Sequence, residues 1–173
     1  FPSRRSRERC EILTTDKAMD EVFKKIRAFA FDVDGVLTDG GILADLDGEL
    51  FRTFDSKDGF AIRMAYMKGF PVAIITGGRS ESIRKRFLTC GVKSEDVYLG
   101  SRAKIEDFDD FCSRYGLAPE DVMYFGDDLP DIPVMVKCGC GVSPSDAVPD
   151  VREIADFVSP FPGGRGCVRH AVE

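Results

Sequence analysis

The 173-residue chain has no tryptophan, one histidine and no C-x-x-C pair among its six cysteines. Structural zinc sites use paired cysteines or several histidines, so this sequence does not predict one. Most of the cysteines lie beside apolar residues, which is typical of reduced thiols in a cytoplasmic protein. We therefore expect a cytoplasmic protein without disulfide bonds.

Long apolar runs and basic character are also lacking. No run approaches the roughly 18 apolar residues of a membrane-spanning helix, and no signal peptide is recognisable at the start. The formal net charge of −6 and the pI near 4.9 would repel nucleic-acid phosphates. We expect neither a membrane partner nor a nucleic-acid partner.

The length suits one α/β domain with a full hydrophobic core. Residues 1–14 show no clear helical or strand period, and we interpret them as an N-terminal arm. Residues 15–173 are predicted to form the single domain.

The strongest chemical signal is the stretch from Phe29 to Thr38, where an apolar run leads directly into D-V-D-G. The run reads as a buried strand, and ligands of open α/β sheets bind at the carboxyl ends of such strands. Asp32 could attack phosphorus, carboxylate and carbonyl oxygens suit Mg²⁺, and Gly35 lets backbone N–H groups approach phosphate. Taken alone, however, D-x-D-G is equally typical of an Asx-rich turn.

Three later strands of the predicted sheet also end in polar loops. A threonine and a glycine follow the second strand, a lysine opens the helix after the third, and three carboxylates follow the fourth. A lysine at a helix N-terminus opposes the helix dipole and calls for an anion, whereas clustered carboxylates call for a cation. These residues are Thr76, Gly77, Lys104, Asp127, Asp128 and Asp131. Singly, the Thr-Gly step also fits an ordinary turn, and the lysine fits a surface position.

Residues 40–54 predict a projecting β-hairpin. The turn Asp45-Leu46-Asp47-Gly48 separates two short β-type segments, and an Asp-Gly step is a strong hairpin signal.

Taken together, the four loops resemble the four motifs of the haloacid dehalogenase (HAD) superfamily of phosphatases. Asp32 and Asp34, then Thr76, then Lys104, then the late acid cluster occur in that superfamily's order. A bacterial receiver domain also uses acids, a threonine and a lysine, but it lacks D-x-D-G and the late G-D-D-x-x-D cluster. The resemblance implies an α/β protein with a three-layer, Rossmann-like HAD fold around a central parallel sheet.

The resemblance also implies roles for the individual residues. Asp32 would be the nucleophile that forms an aspartyl-phosphate, and Asp34 would be the general acid and base. Mg²⁺ would be held by Asp32, Asp127 and the Asp34 carbonyl. The phosphate would be bound by Thr76, Gly77 and Lys104. Asp128 and Asp131 would lie just outside the direct metal ligands and hold those ligands in place.

The intervals between the first three motifs, about 40 and about 28 residues, leave no room for a cap domain. The chain therefore resembles the capless (C0) type, with the hairpin in place of a cap. D-V-D-G-V-L-T-D-G and the run Gly163-Gly164-Arg165-Gly166-Cys167-Val168-Arg169 further resemble the group of 3-deoxy-D-manno-octulosonate 8-phosphate (Kdo8P) phosphatases of lipopolysaccharide biosynthesis. His170 stands where that group has an acid.

This closer resemblance implies a homotetramer in which each hairpin borders a neighbour's site. It also implies that Arg79, with Arg169 or Lys57 of a neighbour, pairs with the sugar-acid carboxylate.

Two other functions remain open from the sequence. One is a phosphatase for the nine-carbon relative, 2-keto-3-deoxynononic acid 9-phosphate, although Arg79 favours the eight-carbon substrate. The other is a non-catalytic tetramerisation module, against which the intact Asp32, Asp34, Lys104 and Asp127 argue.

Overall fold

The computed structural model describes residues 16–173, so the predicted arm at 1–14 lies outside the described residues. Six parallel strands form one sheet in the order β5-β4-β1-β6-β7-β8. Their bounds are β1 Ala28–Phe31, β4 Val72–Ile75, β5 Val97–Tyr98, β6 Val122–Phe125, β7 Cys140–Ser143 and β8 Phe157–Val158. The predicted central parallel sheet is confirmed.

Helices cover both faces of this sheet and make the predicted three layers. One face packs against α1 Asp16–Phe23, α2 Ser56–Met67, α3 Glu81–Leu88 and α7 Cys167–Val172. The other packs against α4 Lys104–Tyr115, α5 Ile132–Met135 and α6 Pro149–Ile154.

Strand β1 is central because its side chains are apolar on both faces. Phe29 and Phe31 point into one core, while Ala28 and Ala30 point into the other, and all four are buried. A strand covered on both sides reads as a continuous apolar run, which is how the sequence predicts it. Phe31 stacks on Phe125 of the neighbouring strand, with ring centroids 4.6 Å apart.

The chain crosses from β1 to β4 and β5 on one side and later adds β6, β7 and β8 on the other. This reversal makes the carboxyl end of β1 the topological switch point, where open parallel sheets bind ligands. The loops after β1, β4, β5 and β6 therefore converge at one edge, and they are the four loops that carry the predicted motifs.

The hairpin predicted for residues 40–54 is present and consists of β2 Leu43–Ala44 and β3 Leu50–Phe51 in antiparallel pairing. Gly48 in its turn has φ +81°, a conformation that favours glycine. The Asp45 carboxylate accepts the N–H groups of Asp47 and Glu49 at 3.0 and 2.9 Å. The hairpin and α2 are the elements between β1 and β4, so no cap domain occupies that interval of the described chain.

None of the helices within residues 16–173 is both long enough and apolar enough to cross a membrane.

Candidate active site

The nucleophile loop is a tight turn that begins where β1 ends. The carbonyl oxygen of Val33 accepts the N–H groups of Leu37 and Thr38 at 2.9 and 3.1 Å, so the chain winds around it. Gly35 has φ +90°, and a Cβ there would lie 1.9 Å from the Asp127 carboxylate. Glycine at this position therefore brings the first and fourth loops into direct proximity.

Lys104, the first residue of α4, forms ion pairs with two buried carboxylates. Its Nζ lies 2.8 Å from Asp32 Oδ1 and 2.7 Å from Asp131 Oδ1. The exposed fraction of each of the three side chains is 8% or less. The sequence predicted an anionic partner for Lys104, and the structure supplies two, Asp32 and Asp131.

Asp131 uses both carboxylate oxygens within the protein. Oδ1 accepts from Lys104 Nζ and from the hydroxyl of Tyr124, and Oδ2 accepts from the N–H groups of Asp127 and Asp128. A carboxylate has about four acceptor positions, so Asp131 is saturated by these four bonds. Asp131 therefore holds Lys104 and the backbone of the fourth loop in place, whereas the Asp128 side chain accepts the N–H of Leu129 at 2.8 Å.

Three carboxylates converge around the single ammonium of Lys104. Oxygens of Asp32, Asp127 and Asp131 all lie within 4.8 Å of one another. Burial, then repulsion by Asp131, raises the pKa of Asp32 well above its usual range, although Lys104 opposes this shift. The same two causes raise the pKa of Asp127 to about 7. Although burial lowers the pKa of Lys104, Asp32 and Asp131 raise it more, so the net direction is upward.

This excess of negative charge fits a divalent cation. Among the described residues, Asp127 Oδ1 is buried and has no hydrogen-bond partner, so its lone pairs are available to a ligand. Carboxylate oxygens are the ligands that Mg²⁺ prefers. Asp32 and Asp127 can therefore hold such an ion, while Asp131 is already saturated.

The second loop presents Thr76 at the end of β4. Its side chain is buried, and its hydroxyl accepts the N–H of Gly78 at 3.1 Å, which leaves the O–H free to donate. Gly77 is open, since a Cβ there would meet only the Ser101 carbonyl oxygen at 3.8 Å. The loop can thus offer a hydroxyl and backbone N–H groups to an anion.

Asp34 is brought to the same edge but outside the carboxylate cluster. Its carboxylate accepts two hydrogen bonds from Arg52, from Nε at 2.6 Å and from Nη2 at 3.0 Å. The sequence did not single out Arg52, because its contact with Asp34 depends on how the hairpin returns to the sheet.

The glycine-rich run near the C-terminus packs against the nucleophile loop. A Cβ at Gly163 would lie 1.8 Å from the Gly35 carbonyl oxygen, and the N–H of Gly164 donates to Val36 at 2.8 Å. The following α7 is anchored by Asp58, whose carboxylate accepts the N–H groups of Gly166 and Arg169. These glycines therefore support the loop that carries Asp32.

The three candidate substrate-binding cations occupy different places. Arg79 lies between the second and third loops, where its side chain passes over Gly100. Lys57 is exposed at the start of α2. Arg169 forms an ion pair with Glu173 and lies over the ring of Phe60, 5.6 Å from its centroid. Arg79 is therefore placed beside the motif loops of its own chain.

Sequence reasoning missed Tyr124 and Asp58 as well as Arg52. Tyr124 carried a signal, because a tyrosine in a buried strand needs a partner for its hydroxyl. Asp58 carried less, since its partners are 108 and 111 residues away. His170 also has a packing role, because its ring stacks on Phe157 with centroids 5.7 Å apart.

The fold and the site together define an α/β protein whose polar, acidic loops lie at the switch point of a parallel sheet. The model of the haloacid dehalogenase-like hydrolase family matches residues 50–139, and the chain belongs to this family.

Within the family, the chain is similar to 3-deoxy-D-manno-octulosonate 8-phosphate phosphatase KdsC of Escherichia coli K12. The two sequences are 41% identical over 150 residues, and the alignment covers 87% of this chain and 79% of the relative. The crystal structure of the phosphatase of that name from Yersinia pestis has a TM-score of 0.84 at 36% identity, covering 88% of this chain and 81% of the other. The enzyme of that name from Moraxella catarrhalis, in complex with magnesium, phosphate and a KDO molecule, has a TM-score of 0.83 at 30% identity, covering 89% of each chain.

Proposed function

We propose that this protein is a Mg²⁺-dependent phosphatase that removes phosphate from 3-deoxy-D-manno-octulosonate 8-phosphate. The observation that carries the proposal is the buried Asp32 carboxylate, which is bound by Lys104 beside the unpartnered oxygen of Asp127 at the end of the central strand. The similarity to phosphatases of this name supports the choice of substrate. A single domain, residues 15–173, carries the activity.

The reaction proceeds in two in-line steps. An oxygen of Asp32 attacks phosphorus, the bond between phosphorus and the sugar oxygen breaks, and the sugar oxygen keeps the electron pair and receives a proton from Asp34. Water then attacks phosphorus in the aspartyl-phosphate and gives its proton to Asp34. The bond between phosphorus and the Asp32 oxygen breaks, so that inorganic phosphate leaves and the Asp32 carboxylate is restored.

The chain's own residues would hold Mg²⁺ through Asp32, Asp127 and the Asp34 carbonyl. Bound there, the ion would neutralise charge on the transferring phosphoryl group. Asp131 and Asp128 stabilise the backbone of the fourth loop and so hold Asp127 in place.

Lys104, the Thr76 hydroxyl and the N–H of Gly77 bind the phosphate oxygens. These donors stand on rigid strand and helix ends, so little reorganisation is needed as charge moves during the reaction. Lys104 therefore has two roles: it binds a phosphate oxygen, and it orients the attacking Asp32 carboxylate.

Arg79 pairs with the carboxylate of the sugar acid, and Arg169 or Lys57 of a neighbouring subunit completes the contact. The same cations would also pair with the carboxylate of the nine-carbon relative, so the experiment has to decide between the eight-carbon and the nine-carbon substrate.

The direct test is a comparison of phosphate release from the eight-carbon sugar acid phosphate, its nine-carbon relative and glucose 6-phosphate. We expect the highest kcat/KM for the eight-carbon substrate with Mg²⁺ present, and no turnover after chelation. A preference for the nine-carbon compound would reassign the substrate. Absence of phosphate release from every compound with Mg²⁺ present would contradict the proposed function and favour a non-catalytic assembly module.

We also propose that the protein is a cytoplasmic homotetramer. Cys90, Cys112 and Cys167 are free thiols, in keeping with a reducing compartment.

The hairpin exposes large apolar side chains, which is typical of an interaction surface. They are Ile42, Leu43, Leu46 and Phe51, with 47%, 70%, 106% and 52% of their surface exposed.

Replacing Leu43, Leu46 and Phe51 together by serine tests this assembly. These side chains pack little within one chain, so the variant should still fold as a monomer while the tetramer dissociates. The control is Leu88→Ser, which changes an exposed leucine on α3, outside the hairpin. Sedimentation that finds the triple variant still tetrameric would contradict a hairpin-mediated assembly.

A further inference from the structure

Arg52, at the end of the hairpin segment, places its side chain in the active site of its own chain. It follows β3 directly, and its guanidinium meets the Asp34 carboxylate with two N–H groups at 2.6 and 3.0 Å. The Arg52 side chain is 2% exposed, whereas that of Asp34 is 29% exposed. The arginine thus lies beneath a carboxylate that stays accessible from solvent.

The position of the guanidinium is itself determined by the surrounding chain. Its Nη1 donates to the Leu50 carbonyl oxygen at 3.2 Å. On the other side, a Cβ at Gly78 would lie 3.0 Å from Nη2, so glycine leaves the space that the guanidinium occupies. The hairpin strand and the second motif loop therefore hold Arg52 between them.

Such a two-point contact restricts the carboxylate more than one hydrogen bond does. The terminal torsion of an aspartate is broad, so a carboxylate held at one point rotates readily. Two parallel N–H groups from one planar guanidinium fix both the plane and the direction of the carboxylate. The hydrogen bond to Asp34 also raises the pKa of Arg52, which keeps the guanidinium charged.

We propose that Arg52 is the positioning residue for Asp34 and holds its carboxyl group toward the oxygen that leaves with the sugar. The inference rests on the proposed function, because it requires Asp34 to act as the general acid. In this role Arg52 acts through Asp34. The hairpin segment thereby contributes to proton transfer as well as to assembly.

The leaving group provides a test that a purely structural role would not pass. A sugar alkoxide is a poor leaving group and needs a proton as it departs, whereas p-nitrophenolate departs without one. Loss of positioning at Asp34 should therefore slow the first step, in which the leaving group departs, for the sugar phosphate and spare that step for the aryl phosphate. The second step uses Asp34 for both substrates, so the comparison is made on kcat/KM, which reports only the steps up to departure of the leaving group.

The experiment compares the parent with Arg52→Met and Arg52→Lys, using the eight-carbon sugar acid phosphate and p-nitrophenyl phosphate with Mg²⁺. We expect Arg52→Met to lower kcat/KM for the sugar phosphate about 100-fold and kcat/KM for the aryl phosphate no more than about threefold. Arg52→Lys keeps the charge without the two-point contact, so it should recover only part of the loss and carries the test if Arg52→Met does not fold.

The matched control is Arg63→Met, which removes an exposed arginine of α2 and should leave both rates unchanged. Equal losses of kcat/KM on both substrates would overturn the positioning role while leaving the proposed function intact. A parent protein that hydrolyses neither substrate would overturn the proposed function and, with it, this inference.

Discussion

Asp32→Asn should abolish phosphate release while leaving the fold intact. The amide is nearly isosteric with the carboxylate, but it is not a nucleophile toward phosphorus and is a poorer ligand for Mg²⁺. Removing a nucleophile that acts together with its neighbours lowers kcat by on the order of 10⁴- to 10⁶-fold. We expect a loss in that range, measured as inorganic phosphate released under saturating substrate.

The same substitution should not destabilise the metal-free protein at neutral pH. Burial and Asp131 raise the pKa of Asp32 in the folded state, so the ionised carboxylate costs folding free energy once the pH exceeds the unfolded pKa. A neutral amide removes that cost and some repulsion from Asp127, although it weakens the ion pair with Lys104. The melting temperature of the variant without metal should equal or exceed that of the parent.

Mg²⁺ separates the two effects of the substitution. An ion that binds the folded state raises the melting temperature by mass action. The parent should therefore gain stability when Mg²⁺ is added, and the Asp32→Asn variant should gain less. Asp47→Asn in the exposed hairpin turn is the control and should behave as the parent does. Appreciable turnover by the purified Asp32→Asn protein would contradict the assigned nucleophile.

The motif loops could be predicted from the sequence because their signals are local. An apolar run followed by a polar, glycine-containing loop occurs four times, and the parallel topology brings the four loops to one edge of the sheet. The hairpin was predictable for the same reason, since its Asp-Gly step lies within the turn itself. The order Asp32, Thr76, Lys104, Asp127 then identified the kind of site.

The residues that position these groups were not predictable, because their partners come from distant parts of the chain. Arg52 reads in the sequence as one more charge on a short strand, and only the return of the hairpin places it against Asp34. Asp131 was assigned a supporting role, but its saturation by Lys104, Tyr124 and two backbone N–H groups depends on tertiary structure. The glycines at 163 and 164 carried a motif without indicating that they pack on the nucleophile loop.

Lys104→Met should cause the largest loss of stability among single substitutions in the site. Lys104 is 7% exposed and forms ion pairs with two buried carboxylates, so its removal leaves Asp32 and Asp131 without a counter-charge. Removing one partner of a buried ion pair costs about 3–5 kcal/mol of unfolding free energy. Turnover should fall as well, because the variant loses a donor to the phosphate and the group that orients Asp32.

Two further variants establish that the loss comes from the uncompensated carboxylates. Lys137→Met removes a lysine from a half-exposed pair with Asp109 at 2.6 Å and should cost less than about 1 kcal/mol, since exposed ion pairs contribute little. Adding Asp131→Asn to Lys104→Met removes one of the carboxylates left without a partner, so the double variant should regain part of the lost stability without regaining turnover. Denaturant unfolding of the metal-free proteins gives the comparison, and a Lys104→Met protein as stable as Lys137→Met would show that Lys104 does not compensate the charge of the buried carboxylates.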